Sequence, residues 1–156
     1  MSHITEMKMP QNISAIDDLE AIQQAARLMG GEFIEGKKTY KWYGRYVGDS
    51  TPPAWLTPDL MGKCDHVIKF PDINYEVGVL KVGDEYKFVY DYWDGQLKTK
   101  IGGADGAALA KNYADAKTQL DSVRLLEQKA KNMGLRARRL NVEGSNTIKV
   151  EVEGYR

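Results

Sequence analysis

Apolar residues recur along this chain with two periods, and the two periods separate helices from strands. A spacing of three and four residues runs through two segments, and it predicts a shorter helix over residues 14–29 and a long helix over 106–133. Ser14 is predicted to cap the first helix, because a serine hydroxyl can accept a hydrogen bond from the free amides of a first turn. Gly30 and Gly134 are expected to end the two helices.

Alternation of apolar and polar residues, the period of a half-buried strand, marks the remaining elements. It predicts strands over residues 3–9, 32–35, 65–70, 75–82, 85–93, 135–142 and 147–152. Gly83-Asp84 and Gly144-Ser145-Asn146 are hairpin signals, since glycine accepts the backbone conformation of tight turns. One face of the strand over 85–93 is predicted to carry four rings: Tyr86, Phe88, Tyr90 and Tyr92.

These elements predict a two-layer α+β sandwich, in which one long and one shorter helix cover an antiparallel-rich sheet of four or more strands. The length fits a single domain over residues 1–156, with enough chain to bury one core. Residues 47–63 are rich in glycine and proline and are expected to be a long excursion that Trp55 and Leu56 attach to the body.

The composition narrows the class of protein. The 22 Lys and Arg balance the 22 Asp and Glu, which argues against a general nucleic-acid binder. No run of apolar residues reaches the length of a membrane span, and the N-terminus has no secretory signal pattern. The single cysteine, Cys64, suits a reducing compartment. We therefore expect a soluble cytoplasmic protein without membrane partners.

Residues 37–46, KKTYKWYGRY, contain four cationic and four aromatic side chains and no acid. An extended backbone would place Tyr40, Trp42 and Tyr46 on one side and the neighbouring odd-numbered residues on the other. One interpretation is a scaffold strand with a buried and a solvated face. The other is a binding surface, because rings stack on bases and cations meet phosphates. The candidate binding residues are Lys38, Lys41, Tyr43, Arg45 and Trp55.

Two other segments carry candidate chemistry. Lys100, Gly102 and Gly103 precede the long helix and form a secondary candidate for anion binding, against the favoured interpretation of a flexible connection in which Asp105 caps that helix. Cys64 is expected to be a buried thiol, with no catalytic residues, metal site or cofactor predicted in the chain.

Charged side chains near the C-terminus are expected to be surface features. Arg136 and Arg138 should share one face of a strand and block unwanted strand pairing. Glu127 and Lys131 are spaced to support the long helix on its solvated side.

Short blocks in a fixed order carry a family resemblance: MSHITEMKM, CDHVIKF, YEVGVLKVGDEYKFVYDYW and IKVEVEG. Over nearly its whole length the chain resembles the hypothetical chloroplast reading-frame thirty-five family, also called domain of unknown function twelve fifty-seven. KTYKWYGRYV and the proline-bearing loop up to Gly62 are more similar to members carried by bacteriophages and other bacteria than to plastid and cyanobacterial ones. The resemblance implies a compact α+β domain with no established activity and no catalytic residues.

Together these observations predict a non-enzymatic binding or adaptor domain that docks a protein partner through residues 37–46 and the adjoining loops. The alternative is a domain that binds a small anionic ligand such as a nucleotide. For a bacteriophage-type member, located in the host cytoplasm, that role would be sequestration of a nucleotide-derived host signal as a counter-defence.

Overall fold

The computed structural model describes residues 7, 9, 13, 15–44, 52–140 and 148–154. Its helices are α1 (Leu19–Leu28), α2 (Gly95–Ile101) and α3 (Ala107–Asn132), with one 3-10 turn at Pro58–Leu60. Its strands are β1 (Glu32–Glu35), β2 (His66–Lys69), β3 (Val77–Val82), β4 (Glu85–Val89), β5 (Leu135–Leu140) and β6 (Lys149–Gly154).

The first four strands form one antiparallel sheet in chain order, β1-β2-β3-β4. Val82 pairs with Glu85, so Gly83-Asp84 makes the predicted tight hairpin, and Gly83 has the positive φ of +64° that this turn favours. β5 and β6 form a separate two-stranded antiparallel sheet. The predicted α+β class is confirmed.

One face of the four-stranded sheet packs against α1 and α3 in the main core. The four rings at alternating positions from Tyr86 to Tyr92 all contact this core, as the alternation predicts. Tyr90 and Tyr113 are among its largest fully buried side chains. The strand residues that face this core are Phe33, Ile68, Val77, Val79, Tyr86 and Phe88.

The opposite face of the sheet is covered as well. Ile34, Val67, Leu80 and Val89 alternate with the core-facing residues and contact a second apolar cluster. The covering side chains come from residues 37–44 and 52–64, named here the cover segment, and the buried ones are Tyr40, Leu56, Met61 and Cys64. The described part of the predicted excursion, residues 52–63, therefore belongs to a third layer, in which Leu56 is buried and Trp55 packs partly buried against the same cluster, as expected. β3 is buried on both faces, which explains its uninterrupted Val-Gly-Val-Leu run.

The helix boundaries differ from the predicted ones where side-chain caps decide them. α1 begins at Leu19, because the carboxylate of Asp18 accepts a hydrogen bond from the Ala21 N–H at 3.2 Å and caps the helix there. Gly30, with a φ of +74°, ends it as predicted.

Helix α2 is absent from the pattern-based prediction. The Asp94 carboxylate caps it by accepting hydrogen bonds from the N–H groups of Gln96 and Leu97. The predicted cap of α3 by Asp105 is wrong: the N-cap residue is Gly106, in a left-handed conformation and with no side-chain cap. A left-handed turn at this position can be adopted by glycine without steric strain.

Some predictions fall on residues that the structure does not describe. Ser14, most of the predicted strand over 3–9, and the turn at Gly144-Ser145-Asn146 lie outside the described residues. The strands on either side of that turn do pair, from Leu135 opposite Gly154 to Leu140 opposite Lys149.

An ion-pair network joins α1, α3 and β5. Arg124 of α3 donates to Asp18 at 2.6 and 3.2 Å and to Glu20 at 3.0 Å, and Lys117 donates to Asp18 at 3.0 Å. Arg139 of β5 donates to Glu20 and, at 2.9 Å, to Glu127. The partner of Glu127 shown by the structure is thus on a neighbouring strand, whereas the sequence pattern points to Lys131.

Asp18 should make stability depend on acid pH. The hydrogen bond from Arg124 holds the pKa of this carboxyl well below its usual value of about 3.9. The pKa of Asp18 is thus lower in the folded chain than in the unfolded chain. Its contribution to the free energy of unfolding is therefore complete above the unfolded-state pKa and is lost as the pH falls through the folded-state pKa. At pH 7 we expect Asp18→Asn to lower the free energy of unfolding by about 1–3 kcal/mol, since asparagine keeps the cap but loses the charge.

The measurement is urea unfolding of both proteins between pH 7 and about pH 2. The difference between wild type and Asp18→Asn should shrink as the pH falls. A difference that stays constant over this range would show that the charge of Asp18 contributes nothing.

Candidate functional site

Two buried carboxylates lie under the cover segment. Glu76 directly precedes β3, and Asp91 lies two positions after the last residue of β4. Both are 0% exposed. Gly78 pairs with Val89, and continuing this register by two residues sets Glu76 opposite Asp91 on the face that the cover segment covers. Carboxylates buried to this degree need partners, and the cover segment supplies them.

Glu76 binds the start of the cover segment. Its carboxylate accepts hydrogen bonds from the Lys37 ammonium at 3.2 and 3.3 Å and from the Lys41 N–H at 2.9 Å. The Glu76 N–H donates to the Lys41 carbonyl at 3.0 Å, so the two backbones are also paired. Lys37, one of the four cationic side chains of residues 37–46, is therefore the counter-charge of a buried carboxylate within the same chain.

Asp91 binds two aromatic residues through its two oxygens. Oδ2 accepts from the Tyr43 N–H at 3.1 Å, and Oδ1 accepts from the Trp93 N–H at 3.0 Å. These two residues remain 40% and 49% exposed. Burial, followed by the charges of Asp91 and Asp94, raises the pKa of Tyr75, so a third ring lies within electrostatic range of the same carboxylate.

The predicted alternation within the segment holds as far as the structure describes it. Tyr40 is 4% exposed and Trp42 is half-buried, while Lys41 and Tyr43 are exposed. Arg45 and Tyr46 lie outside the described residues. The segment is not a strand of the main sheet: Thr39 makes a single antiparallel bridge to Lys63 of the same cover segment.

Tyr40 is the centre of the attachment. Its hydroxyl accepts a hydrogen bond from the Gly62 N–H at 3.1 Å, and its own N–H donates to the Gly62 carbonyl at 3.2 Å. Its ring occupies the space above Gly78, where an added Cβ would lie 2.5 Å from the Tyr40 Cδ1 atom. Glycine at 78 thus makes room for the ring.

The candidate residues do not all meet at one place. Tyr43 contacts Asp91, and Lys41, two residues before it in the chain, contacts Glu76 on the neighbouring strand, whereas Lys38 is directed to Asp65, at 3.7 Å. Trp55 lies against Lys87, near the start of β4 and thus away from Asp91. The surface that the structure assembles, named here the Asp91 surface, consists of Lys41, Tyr43, Tyr75 and Trp93.

Two members of this surface, Tyr75 and Trp93, are missing from the predicted binding residues. The alternation predicts a strand up to residue 93, which makes Trp93 its end, but β4 ends at Val89. The signal was Asp94-Gly95 directly after it, because an aspartate in that position is typical of a helix cap and places the preceding residue in a turn.

The secondary anion candidates form a connection between helices. The N–H groups of Gly102 and Gly103 donate to the carbonyls of Thr99 and Lys98 and so end α2. Lys100 lies within α2, with its ammonium 5.6 Å from the centre of the Phe70 ring. Since both glycine amides are bonded and the lysine is directed elsewhere, these residues do not converge on an anion.

Cys64 and its neighbours make local contacts. Burial raises the pKa of the Cys64 thiol to about 11, and its Sγ donates to the Lys37 carbonyl at 3.2 Å. Asp65 accepts from the Lys81 N–H at 2.7 Å and His66 Nδ1 accepts from the Gly36 N–H at 3.0 Å, as expected of strand-start residues. A thiol with a raised pKa is a poor nucleophile at neutral pH.

Within the described part of the chain, no three or more His, Cys, Asp and Glu side chains are grouped so as to hold a metal ion. Among the same residues no helix has the length and apolar character needed to cross a membrane.

No protein-family model, curated protein or solved structure matches the chain. The family resemblance in the sequence therefore stays a prediction.

Proposed function

We propose that this chain is a non-enzymatic binding domain that docks a protein partner through the Asp91 surface. The observation that carries the proposal is the double use of Asp91, which binds the backbones of Tyr43 and Trp93, two aromatic residues that are 40% and 49% exposed. A buried polar network whose members are all hydrogen-bonded makes the segments that it joins rigid. Here the network fixes segments in which Lys41, Tyr43 and Trp93 are exposed.

The residue types fit protein recognition. Tyrosine and tryptophan are enriched among the residues that dominate interface energetics, and they contribute most where neighbouring groups exclude water. The backbones of Tyr43 and Trp93 are held before any partner arrives, which reduces the ordering cost of association. The family that the sequence resembles has no established activity, so the proposal rests on this surface alone.

A second candidate function is binding of a small anionic ligand such as a nucleotide. The exposed Lys41, two residues from Tyr43 in the chain, favours it, since a ring can stack on a base while an ammonium meets a phosphate. The two candidates differ in their response to salt. Phosphate binding weakens steeply with ionic strength, and docking of aromatic rings does not.

The test is a pull-down from cell lysate with the wild type and with a Tyr43→Ala, Trp93→Ala double variant, followed by mass spectrometry of the protein and small-molecule fractions. We expect one protein to be retained by the wild type and reduced at least about tenfold with the double variant, because truncating central aromatic residues typically costs over 1 kcal/mol each. Retention should persist in high salt.

The matched control is Leu125→Ala, Leu126→Ala, which truncates two exposed apolar residues on α3. It should retain the partner like the wild type. A partner that the double variant still retains would contradict docking at this surface. A salt-sensitive nucleotide in the small-molecule fraction, lost with Lys41→Ala, would establish the second candidate instead.

A further inference from the structure

The sheet of β5 and β6 has an outer edge. Among the described residues, β6 pairs with β5 and with no other strand. Contacts with α3 are made chiefly by β5. The backbone groups along the far side of β6 therefore form an edge six residues long, and Val152 on this strand is 41% exposed. Open edges of this kind pair with other chains unless something blocks them.

The other strand edges carry such blocks. At the β4 edge, the Tyr86 N–H already donates to the Ile16 carbonyl. β1 is only four residues long and has a glutamate at each end, Glu32 and Glu35. On β5, antiparallel pairing of two copies about Ala137 would set Arg136 opposite Arg138, and like charges in facing positions are destabilising.

The sequence of β6 is instead complementary to itself. Glu151 and Glu153 share the face on which they pair with Arg138 and Arg136, so by alternation Lys149 lies on that face too. Antiparallel pairing of two β6 strands centred on Glu151 sets Lys149 opposite Glu153 of the other copy, twice. It also sets Val150 opposite Val152 on the opposite face, twice.

The parallel arrangement lacks this match. Parallel pairing in register sets Lys149 opposite Lys149 and each glutamate opposite itself, so every charge meets its own sign. The antiparallel arrangement has one like-charge position, at Glu151, and there each carboxylate already accepts from its own Arg138 at 2.9 Å. A twofold axis through this position gives a closed assembly of two chains.

From this pattern we propose that β6 is a self-association surface, at which a second copy of this chain pairs antiparallel and joins the two small sheets into one of four strands, β5-β6-β6-β5. This surface is separate from the Asp91 surface. The assembly covers the Val152 side chain and satisfies the outer backbone groups of β6.

Sedimentation equilibrium over rising protein concentration tests the proposal. The wild type should shift from the mass of one chain, 17.6 kDa, to that of two. Lys149→Glu and Glu153→Lys should each weaken association about tenfold or more, because each turns two attractive pairs into repulsive ones. An equimolar mixture of the two variants should associate again, since in the mixed pair both facing positions join a glutamate on one chain to a lysine on the other.

The charge-matched control is Lys81→Glu, at an exposed lysine on β3, which should associate like the wild type. Circular dichroism verifies folding, and Lys149→Gln, which adds no repulsion, provides a milder variant expected to weaken association severalfold. A wild type that stays at one chain up to about 1 mM, variants that associate unchanged, or a mixture that does not recover would each overturn the proposal.

Discussion

Replacing Tyr40 with alanine should lower the free energy of unfolding by about 3–5 kcal/mol, the usual loss for truncating a large aromatic residue in a packed interior. The ring is 4% exposed and lies between the sheet and the rest of the cover segment. Its hydroxyl is also the acceptor for the buried N–H of Gly62. Urea unfolding at neutral pH, followed by circular dichroism, measures the change.

Two further variants test separately the Tyr40 hydroxyl and the contact of its ring with Gly78. Tyr40→Phe removes only the hydroxyl and should cost about 1–2 kcal/mol, because the Gly62 N–H then lacks an acceptor. Gly78→Ala should cost about 1–3 kcal/mol, since its Cβ would overlap the Tyr40 ring. Combined with Tyr40→Ala, the Gly78→Ala change should cost much less. Full additivity of the two would show that ring and glycine do not contact each other.

Replacing Glu76 with alanine is the second large change, with an expected loss of about 2–4 kcal/mol. The substitution leaves the Lys41 N–H without its acceptor and the half-buried Lys37 ammonium without its counter-charge. The loss should remain below that of a fully enclosed ion pair, because 35% of the Lys37 side chain reaches water. Urea unfolding again gives the value.

Glu76→Gln is the matched control for this prediction. Glutamine keeps an acceptor for the Lys41 N–H and removes only the charge, so its cost should be about half that of alanine. Equal costs for the two substitutions would assign the whole effect to the ion pair with Lys37. Unfolding of Glu76→Ala at the wild-type urea concentration would contradict a role of this carboxylate in holding the cover segment.

Sequence patterns were sufficient to predict those elements that depend on residues close together in the chain. The strand β1 lies where the alternation places it, at Glu32–Glu35, and the β3–β4 hairpin turns at the glycine that its backbone conformation favours. The long helix follows its apolar spacing up to Val123 and Ala130. Two apolar residues in the second half of the predicted range are not buried, since Leu126 is 42% and Met133 is 73% exposed.

The features that local patterns missed depend on contacts between distant residues. Glu76 and Asp91 bind backbone groups 35 and 48 residues away in the chain, and neither separation is visible in a periodic pattern. The layer formed by the cover segment has little regular secondary structure, so no helical or strand periodicity of apolar residues predicts it. Helix α2 has seven residues and only two buried side chains, Leu97 and Ile101, which is too short a run for helical spacing to stand out.

The attachment of the cover segment has a consequence for local unfolding. Lys41 and Tyr43 bind carboxylates through their N–H groups, so this end of the layer can detach while the strands stay paired, and opening of that kind is a sub-global event. Such an opening would hydrate Val67, Leu80 and Val89 together. A molecule that binds Tyr43 only in the closed form also lowers the population of the open form. This effect grows with the ratio of the concentration of the molecule to its dissociation constant. Amide hydrogen exchange at Lys41, whose N–H is bonded to Glu76, would then report occupancy of the Asp91 surface.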